Sequence, residues 1–243
     1  MSRSFLKAST FLLCLAAAML VLGASRRDPA QPRTGAVALP AAETAPNKTM
    51  GSSTAPITLV VYSDFECPAC RALYEDTLKP LMSDYIASGK VYLVHKDFPL
   101  QMHKYSHEAA RYANAAARMG KYEQVAGILF DNQQIWAADG NVVKFVSQAL
   151  PPAEMKRVQA MVDSCHEGSP TTAKVKPTSL NAQAGGGTCQ LDKSIDEDLE
   201  SGKGIAVNQT PTILIIHAGR TDRIAGVVSY PVLKAYFDQL LGH

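Results

Sequence analysis

Two cysteines three positions apart, in Cys67-Pro68-Ala69-Cys70, are the residues of this chain best placed to do chemistry. A dithiol at that spacing closes into a disulfide without long-range rearrangement. So short a loop constrains the unfolded chain very little, which makes a purely structural staple a poor account of it. A structural zinc site needs four ligands; the chain has no second Cys-x-x-Cys, Cys165 and His166 are adjacent, and Cys189 is isolated, so no metal is expected. Thiol-disulfide exchange, in which a thiolate attacks a disulfide sulfur, is the chemistry that fits, and it requires no cofactor. Pro68 suits the first position of a helix, where its missing N–H loses nothing and its φ is already helical. Cys67 then faces the free backbone N–H groups and positive dipole end of that helix, which favour thiolate over thiol. Cys67 is the expected nucleophile. Cys70, one turn further and on the apolar face, is the expected shielded, resolving thiol.

A strand must deliver this pair and a helix must receive it. Ile57 to Tyr62, ITLVVY, has the length and β-branched composition of a buried strand. From Cys70 the apolar positions Leu73, Tyr74, Leu78, Leu81, Met82, Tyr85 and Ile86 recur at helical spacing until Gly89, with Pro80 expected to kink the helix. Val91 to Val94 reads as a second strand. Between Pro99 and Cys165 only helical periodicity is present, around Ala109 to Ala117, Tyr122 to Phe130, Val142 to Leu150 and Met155 to Cys165. Strands return at Thr212 to Ile216 and near Arg223 to Val227, followed by a last amphipathic helix through Val232, Leu233, Tyr236, Phe237 and Leu240. Two strands, a helical block, two more strands and a helix define an α/β fold with an inserted all-helical domain. The core is expected at 55–98 and 190–243, the insertion at 99–189, and a flexible loop with Gly185-Gly186-Gly187 at 169–188.

The 243 residues are 47% hydrophobic and 19% charged, which permits a packed core and excludes a disordered chain. A formal charge of +2 offers no basis for a nucleic-acid partner. Arg3 and Lys7 precede an uncharged Leu/Ala-rich stretch, Ala8 to Ser25, that ends in small residues and reads as an export signal. Its length also approaches that of a membrane anchor, so residues 1–25 are read as a signal peptide or an uncleaved N-terminal tether. Residues 26–54, with Pro29, Pro32, Pro40 and Pro46 and hardly any large apolar side chain, read as a disordered tether. Export leaves four of the five cysteines, and an oxidising compartment permits disulfides. Cys165 and Cys189 are expected to form a structural disulfide worth roughly 3 to 4 kcal/mol on the chain-entropy model, with a second redox relay or free thiols as alternatives.

Ser63-Asp64-Phe65-Glu66-Cys67-Pro68-Ala69-Cys70, Lys96-Asp97-Phe98-Pro99, His107-Glu108-Ala109-Ala110 and Val207-Asn208-Gln209-Thr210-Pro211-Thr212 together resemble the DsbA-like thioredoxin-fold disulfide oxidoreductases. The resemblance runs from about Ala55 to the C-terminus. It implies a thioredoxin fold with a helical insertion after the second core strand. It also implies that Pro211 is a cis-proline facing the dithiol, and that Thr210 and Pro211, with Pro68 and Ala69, meet the substrate chain. Ala69 stands where the best-known oxidases of that family carry histidine, which removes one source of thiolate stabilisation. Glu66 would oppose the thiolate if close, but reads as an exposed carboxylate at the strand end.

The expected activity is that of an exported protein disulfide oxidoreductase. It would introduce disulfides at Cys67-Cys70 into reduced or unfolded exported proteins and be reoxidised, as the resemblance implies, by a membrane quinone-linked thiol oxidase of the DsbB or VKOR type. A monomer is expected; the isomerases of the superfamily usually dimerise through an N-terminal domain for which the tether offers no candidate, which counts against an isomerase. A reductase or isomerase, or a non-catalytic holdase for unfolded exported chains, are the alternatives.

Overall fold

The computed structural model describes residues 48–167 and 189–242. The expected signal segment, most of the tether and the glycine-rich loop lie outside the described residues. The sheet is built around β2 (Ile57–Ser63), whose apolar residues face both ways and are buried on both faces, as a central strand requires. β2 pairs in parallel with β3 (Val91–Asp97), from Ile57 opposite Val91 to Ser63 opposite Asp97. On its other side it pairs antiparallel with β4 (Thr212–His217), so that Tyr62 lies opposite Thr212. β5 (Arg220–Ala225) completes one edge and β1 (Thr49–Met50) the other, in the order β1-β3-β2-β4-β5.

After β2 the chain enters α1 (Pro68–Leu73), which continues through a π turn at Tyr74–Leu78, α2 (Lys79–Leu81) and a second π turn at Met82–Ile86. Around Pro80 the helix runs through these π turns. Lys79 N–H reaches back five residues to Tyr74 O, and the wider turn accommodates the proline that cannot donate. The inserted block holds α3 (Ser106–Ala117), α4 (Tyr122–Asp131), α5 (Gln133–Asp139), α6 (Val142–Ala149) and α7 (Pro152–Glu167). The periodicity reading passed over α5, whose seven residues bury only Gln133 and Trp136. α8 (Gln190–Gly204) leads back to β4, and α9 (Tyr230–Leu240) ends the fold.

Two cores flank the sheet. Ile57, Leu59 and Val61 of β2 join the larger core with α1, α9 and the helical block, whereas Val60 and Tyr62 point to the opposite face and pack with Val94, Phe98, Val207 and Leu214. α8 covers that second face through Leu199. Cys165 in the last turn of α7 and Cys189, the N-cap of α8, are joined as a disulfide.

The expectation of a disordered tether to Thr54 is corrected at its end. Thr49 and Met50 pair antiparallel with Val94 and Leu93, and the preceding Lys48 is fully buried. Its ammonium reaches Asp97 Oδ2 at 2.6 Å and Asp198 Oδ2 at 2.5 Å, and Asn114 Nδ2 donates to the same Asp97 oxygen at 2.6 Å. Burial pushes the Lys48 pKa down, but the two carboxylates outweigh it and leave it raised. Composition scores a lysine as a solvent-facing residue; here two buried carboxylates recruit it.

Candidate active site

The parallel register of β2 and β3 and the antiparallel register of β2 and β4 bring three chain segments to one end of the sheet. β2 leaves at Ser63, the turn Asp64–Cys67 follows, and Pro68 opens α1 with Cys67 as its N-cap in extended conformation. β4 begins at the same end, so the Thr210-Pro211 peptide, which is cis, stands over the dithiol. Cys67 Sγ lies 3.5 Å from Thr210 O across 143 residues of sequence. Gly226 N–H donates to Pro211 O at 2.8 Å, which ties this loop to the end of β5. Both cysteines are free thiols, so the structure represents the reduced form. Cys67 keeps 7% of its surface and Cys70 1%. The order of access is the one the sequence implies, but the nucleophile is more covered than a helix N-cap by itself would be, because the Thr210-Pro211 loop lies on it.

The two sulfurs are acid-base opposites. The Cys70 thiol donates to the Cys67 sulfur and, against the effect of burial, lowers the Cys67 pKa from 9.0 to about 5, helped by Thr210 and by the backbone N–H groups of Cys70 and Ala69. The Thr210 hydroxyl is buried and has no other hydrogen-bond partner, so the Cys67 sulfur is the group it can serve. Burial, then the neighbouring Cys67 sulfur, push Cys70 well above the ordinary thiol value. Its sulfur accepts from Asp64 N–H at 3.4 Å. Pro68 and Ala69 lie between the two cysteines, and Ala69 packs at the edge of the core.

Two carboxylates in the turn turn out to be structural. Asp64 is buried and saturated: Oδ1 accepts from Glu66 N–H at 2.7 Å and Ser106 Oγ at 2.5 Å, while Oδ2 accepts from Leu100 N–H at 2.7 Å and pairs with His103 Nδ1 at 2.7 Å. Glu66, read from sequence as exposed, is half-buried, and its Oε2 accepts Tyr105 N–H at 2.6 Å at the start of α3. Its charge is engaged by a helix N-terminus, where a carboxylate is favourable, rather than by the thiolate. The only local sign of Asp64's part is an acid three residues before Cys67, just past the end of β2.

Three of the exposed large apolar side chains sit on segments hydrogen-bonded to this site. Met102, 81% exposed, is in the loop that Asp64 holds; Ile135, 57%, is on α5; Val227, 50%, follows Gly226. Beyond Val228 an apolar cavity of about 260 Å³ opens between β4, β5 and α9, lined by Ile215, Ile224, Val232, Leu233 and Tyr236. Among the described residues no cluster of His, Cys, Asp or Glu is arranged to hold a metal ion, and no helix is long and apolar enough to cross a membrane.

Probable disulfide bond formation protein D of Bacillus cereus is 27% identical over 116 residues, 45% of this chain and 53% of that protein, so the chain spans about half the length of this relative. The crystal structure of oxidised BdbD from Bacillus subtilis is similar with a TM-score of 0.60 at 16% identity, covering 81% of this chain and 94% of that one. Wolbachia pipientis α-DsbA1 is similar at a TM-score of 0.60 and 16% identity over 84% of this chain and 94% of its own. A family model described as Thioredoxin matches residues 43–224, from just before β1 to the end of β5, and this chain therefore belongs to the thioredoxin family, with the DsbA-like fold in which a helical block is inserted into the core.

Proposed function

We propose that this protein is an exported thiol:disulfide oxidoreductase that oxidises dithiols in other exported proteins. The observation that carries this reading is the free Cys67-Cys70 pair at the N-terminus of α1 beneath the cis Thr210-Pro211 peptide, where the Cys70 thiol lowers the Cys67 pKa to about 5. A stabilised Cys67 thiolate is a good leaving group, and stabilising the reduced form makes the disulfide a stronger oxidant.

In the oxidised form a substrate thiolate attacks Cys67 Sγ of the Cys67-Cys70 disulfide. A substrate–Cys67 disulfide forms, the Cys67–Cys70 bond breaks, and Cys70 leaves with the electron pair and takes up a proton. Burial of Cys70 directs attack to Cys67. The substrate's second thiol, losing its proton, then attacks the substrate sulfur of the mixed disulfide and expels Cys67 as thiolate. The substrate has lost two electrons and two protons, and the protein dithiol has gained the electrons. Thr210 and Pro211 offer backbone groups to an extended substrate segment, with Pro68 and Ala69 on the opposite side. Met102, Ile135, Val227 and the apolar cavity supply contacts for chains whose apolar residues are still unfolded. Return to the disulfide draws on a membrane quinone-linked thiol oxidase of the DsbB or VKOR type, with the protein acting as a monomer.

Equilibration of the Cys67-Cys70 couple with reduced and oxidised glutathione tests the direction. An oxidant lies well above the potential of about −270 mV typical of thioredoxin, and a value at or below that would assign the protein to reduction.

A further inference from the structure

One side chain of the helical block holds the turn that carries the nucleophile. Gln133, the first residue of α5, is buried, and its Nε2 donates to Phe65 O at 2.7 Å and to Cys67 O at 2.9 Å. The opposite amide orientation would set an oxygen against two carbonyl oxygens, so the donor assignment follows from chemistry. Cys67 O also accepts Cys70 N–H at 3.0 Å and Arg71 N–H at 3.1 Å, the first bonds of α1. A single NH₂ therefore bridges the carbonyls on either side of Glu66 and fixes the peptide planes from which α1 starts. α5 is itself immobilised: Trp136, fully buried, donates Nε1–H to Leu129 O at 2.6 Å, and Gly140 at its C-terminal end abuts the Tyr105 ring with no room for a Cβ. Tyr105 N–H in turn binds Glu66, so the turn is gripped from both ends of α5.

We propose that Gln133 is a positioning residue for thiol-disulfide exchange, clamping the strand-to-helix turn so that Cys67 keeps its place at the N-terminal end of α1, beside the Cys70 thiol and the Thr210 segment. This gives the helical insertion a part in setting the reactivity of a dithiol that belongs to the core, and it rests on the dithiol-exchange reading. A purely structural glutamine would stabilise the disulfide and dithiol forms alike and leave the balance between them unchanged. A positioning glutamine acts on the thiolate, which only the reduced form has.

Gln133→Met keeps the length and removes both donors. In the full chain, two readouts apply: the pH dependence of Cys67 alkylation or thiolate absorbance, and the equilibrium in which two glutathione thiols are oxidised to one glutathione disulfide while the Cys67-Cys70 disulfide takes up the two electrons and two protons. The expected result is an upward move of the Cys67 midpoint by about one pH unit, with a matching tenfold decrease in the equilibrium constant for reduction, about 30 mV toward a weaker oxidant. Val146→Ala, in α6 and away from the turn, controls for general loosening of the helical block and should move neither readout. If the methionine variant does not fold, Gln133→Asn, whose amide is withdrawn by one methylene, replaces it with the same expected direction. A folded variant with both readouts at wild-type values overturns the proposal. A wild-type Cys67 that titrates as an ordinary thiol and does not exchange with glutathione would instead remove the dithiol reading beneath it.

Discussion

Cys67 and Cys70 share a side chain and differ by where the backbone puts it. Cys67 is the N-cap residue of α1; Cys70 is one turn in and donates to its partner. Alkylation of the reduced protein should follow the Cys67 titration with a midpoint at about 5 while Cys70 stays unmodified, and Thr210→Val, which keeps the shape and deletes the hydroxyl donor, should shift that midpoint upward. Labelling of Cys70 ahead of Cys67 in peptide maps would reverse the roles. The same titration governs stability. The folded pKa of Cys67 is depressed, so its thiolate stabilises the reduced fold fully above the unfolded thiol's pKa of about 8.5, and the contribution is lost as pH falls through the folded value. The oxidised form has no such proton to exchange. The denaturant midpoint of the reduced protein should therefore rise relative to that of the oxidised protein between about pH 5 and about pH 8, and a constant difference across that window would contradict the thiolate assignment.

At the scale of elements, α8 sets how closely the second face of the sheet is covered. Gly202 near its end lies against the β2–β3 layer: a Cβ there would meet the Phe98 ring at 2.7 Å and the Tyr62 ring at 3.0 Å. Those rings pack edge to face with centroids 6.2 Å apart and have little freedom to retreat. Gly202→Ala should destabilise the protein by about 1 to 3 kcal/mol, as overpacking does, in spite of alanine's better helix propensity. A gain in the denaturant midpoint would mean that α8 does not pack this closely. The loop after α8 is secured from the far edge strand, where Arg223 donates to Ile205 O at 2.7 Å and Ala206 O at 2.8 Å just ahead of Val207 and the cis-proline segment. The edge strand thus helps hold the loop that covers Cys67.

Across the whole molecule, two links join separate elements of the fold. Lys48 binds β3 and α8 through Asp97 and Asp198, and Lys96 Nζ adds a bond to Asp198 Oδ1 at 2.7 Å, so the buried carboxylates are paired with one cation just before β1 and one in β3. The Cys165-Cys189 bridge spans a sequence separation of 24 between α7 and α8, away from the dithiol turn. A Cys165→Ser, Cys189→Ser double variant should lose roughly 3 to 4 kcal/mol of stability on the chain-entropy model and keep its exchange activity. Exchange that disappeared in a variant still folded would make this pair part of the redox relay.

The sequence alone determined the features that depend on local order. The Cys-Pro-Ala-Cys spacing, the β-branched ITLVVY run, the helical periodicity after it and the Thr-Pro element before a strand are all readable within windows of a few residues, because turn chemistry and apolar period act locally. Only the tertiary structure decided what lies across such windows. Lys48 was assigned to a tether because a lysine without periodic apolar neighbours gives no local sign of burial; two carboxylates far along the chain supply the partners that make burial possible. Gln133 and α5 escaped notice because a short helix that buries a tryptophan and a glutamine has no apolar stripe. Glu66 reads as a charge near a nucleophile and Asp64 carries no local sign of a role; they became anchors once Ser106, His103 and Tyr105 were folded against them. A pKa of about 5 for Cys67 draws on both: the Cys70 thiol that lowers it most is three residues away in the sequence, whereas Thr210 reaches the sulfur only through the fold.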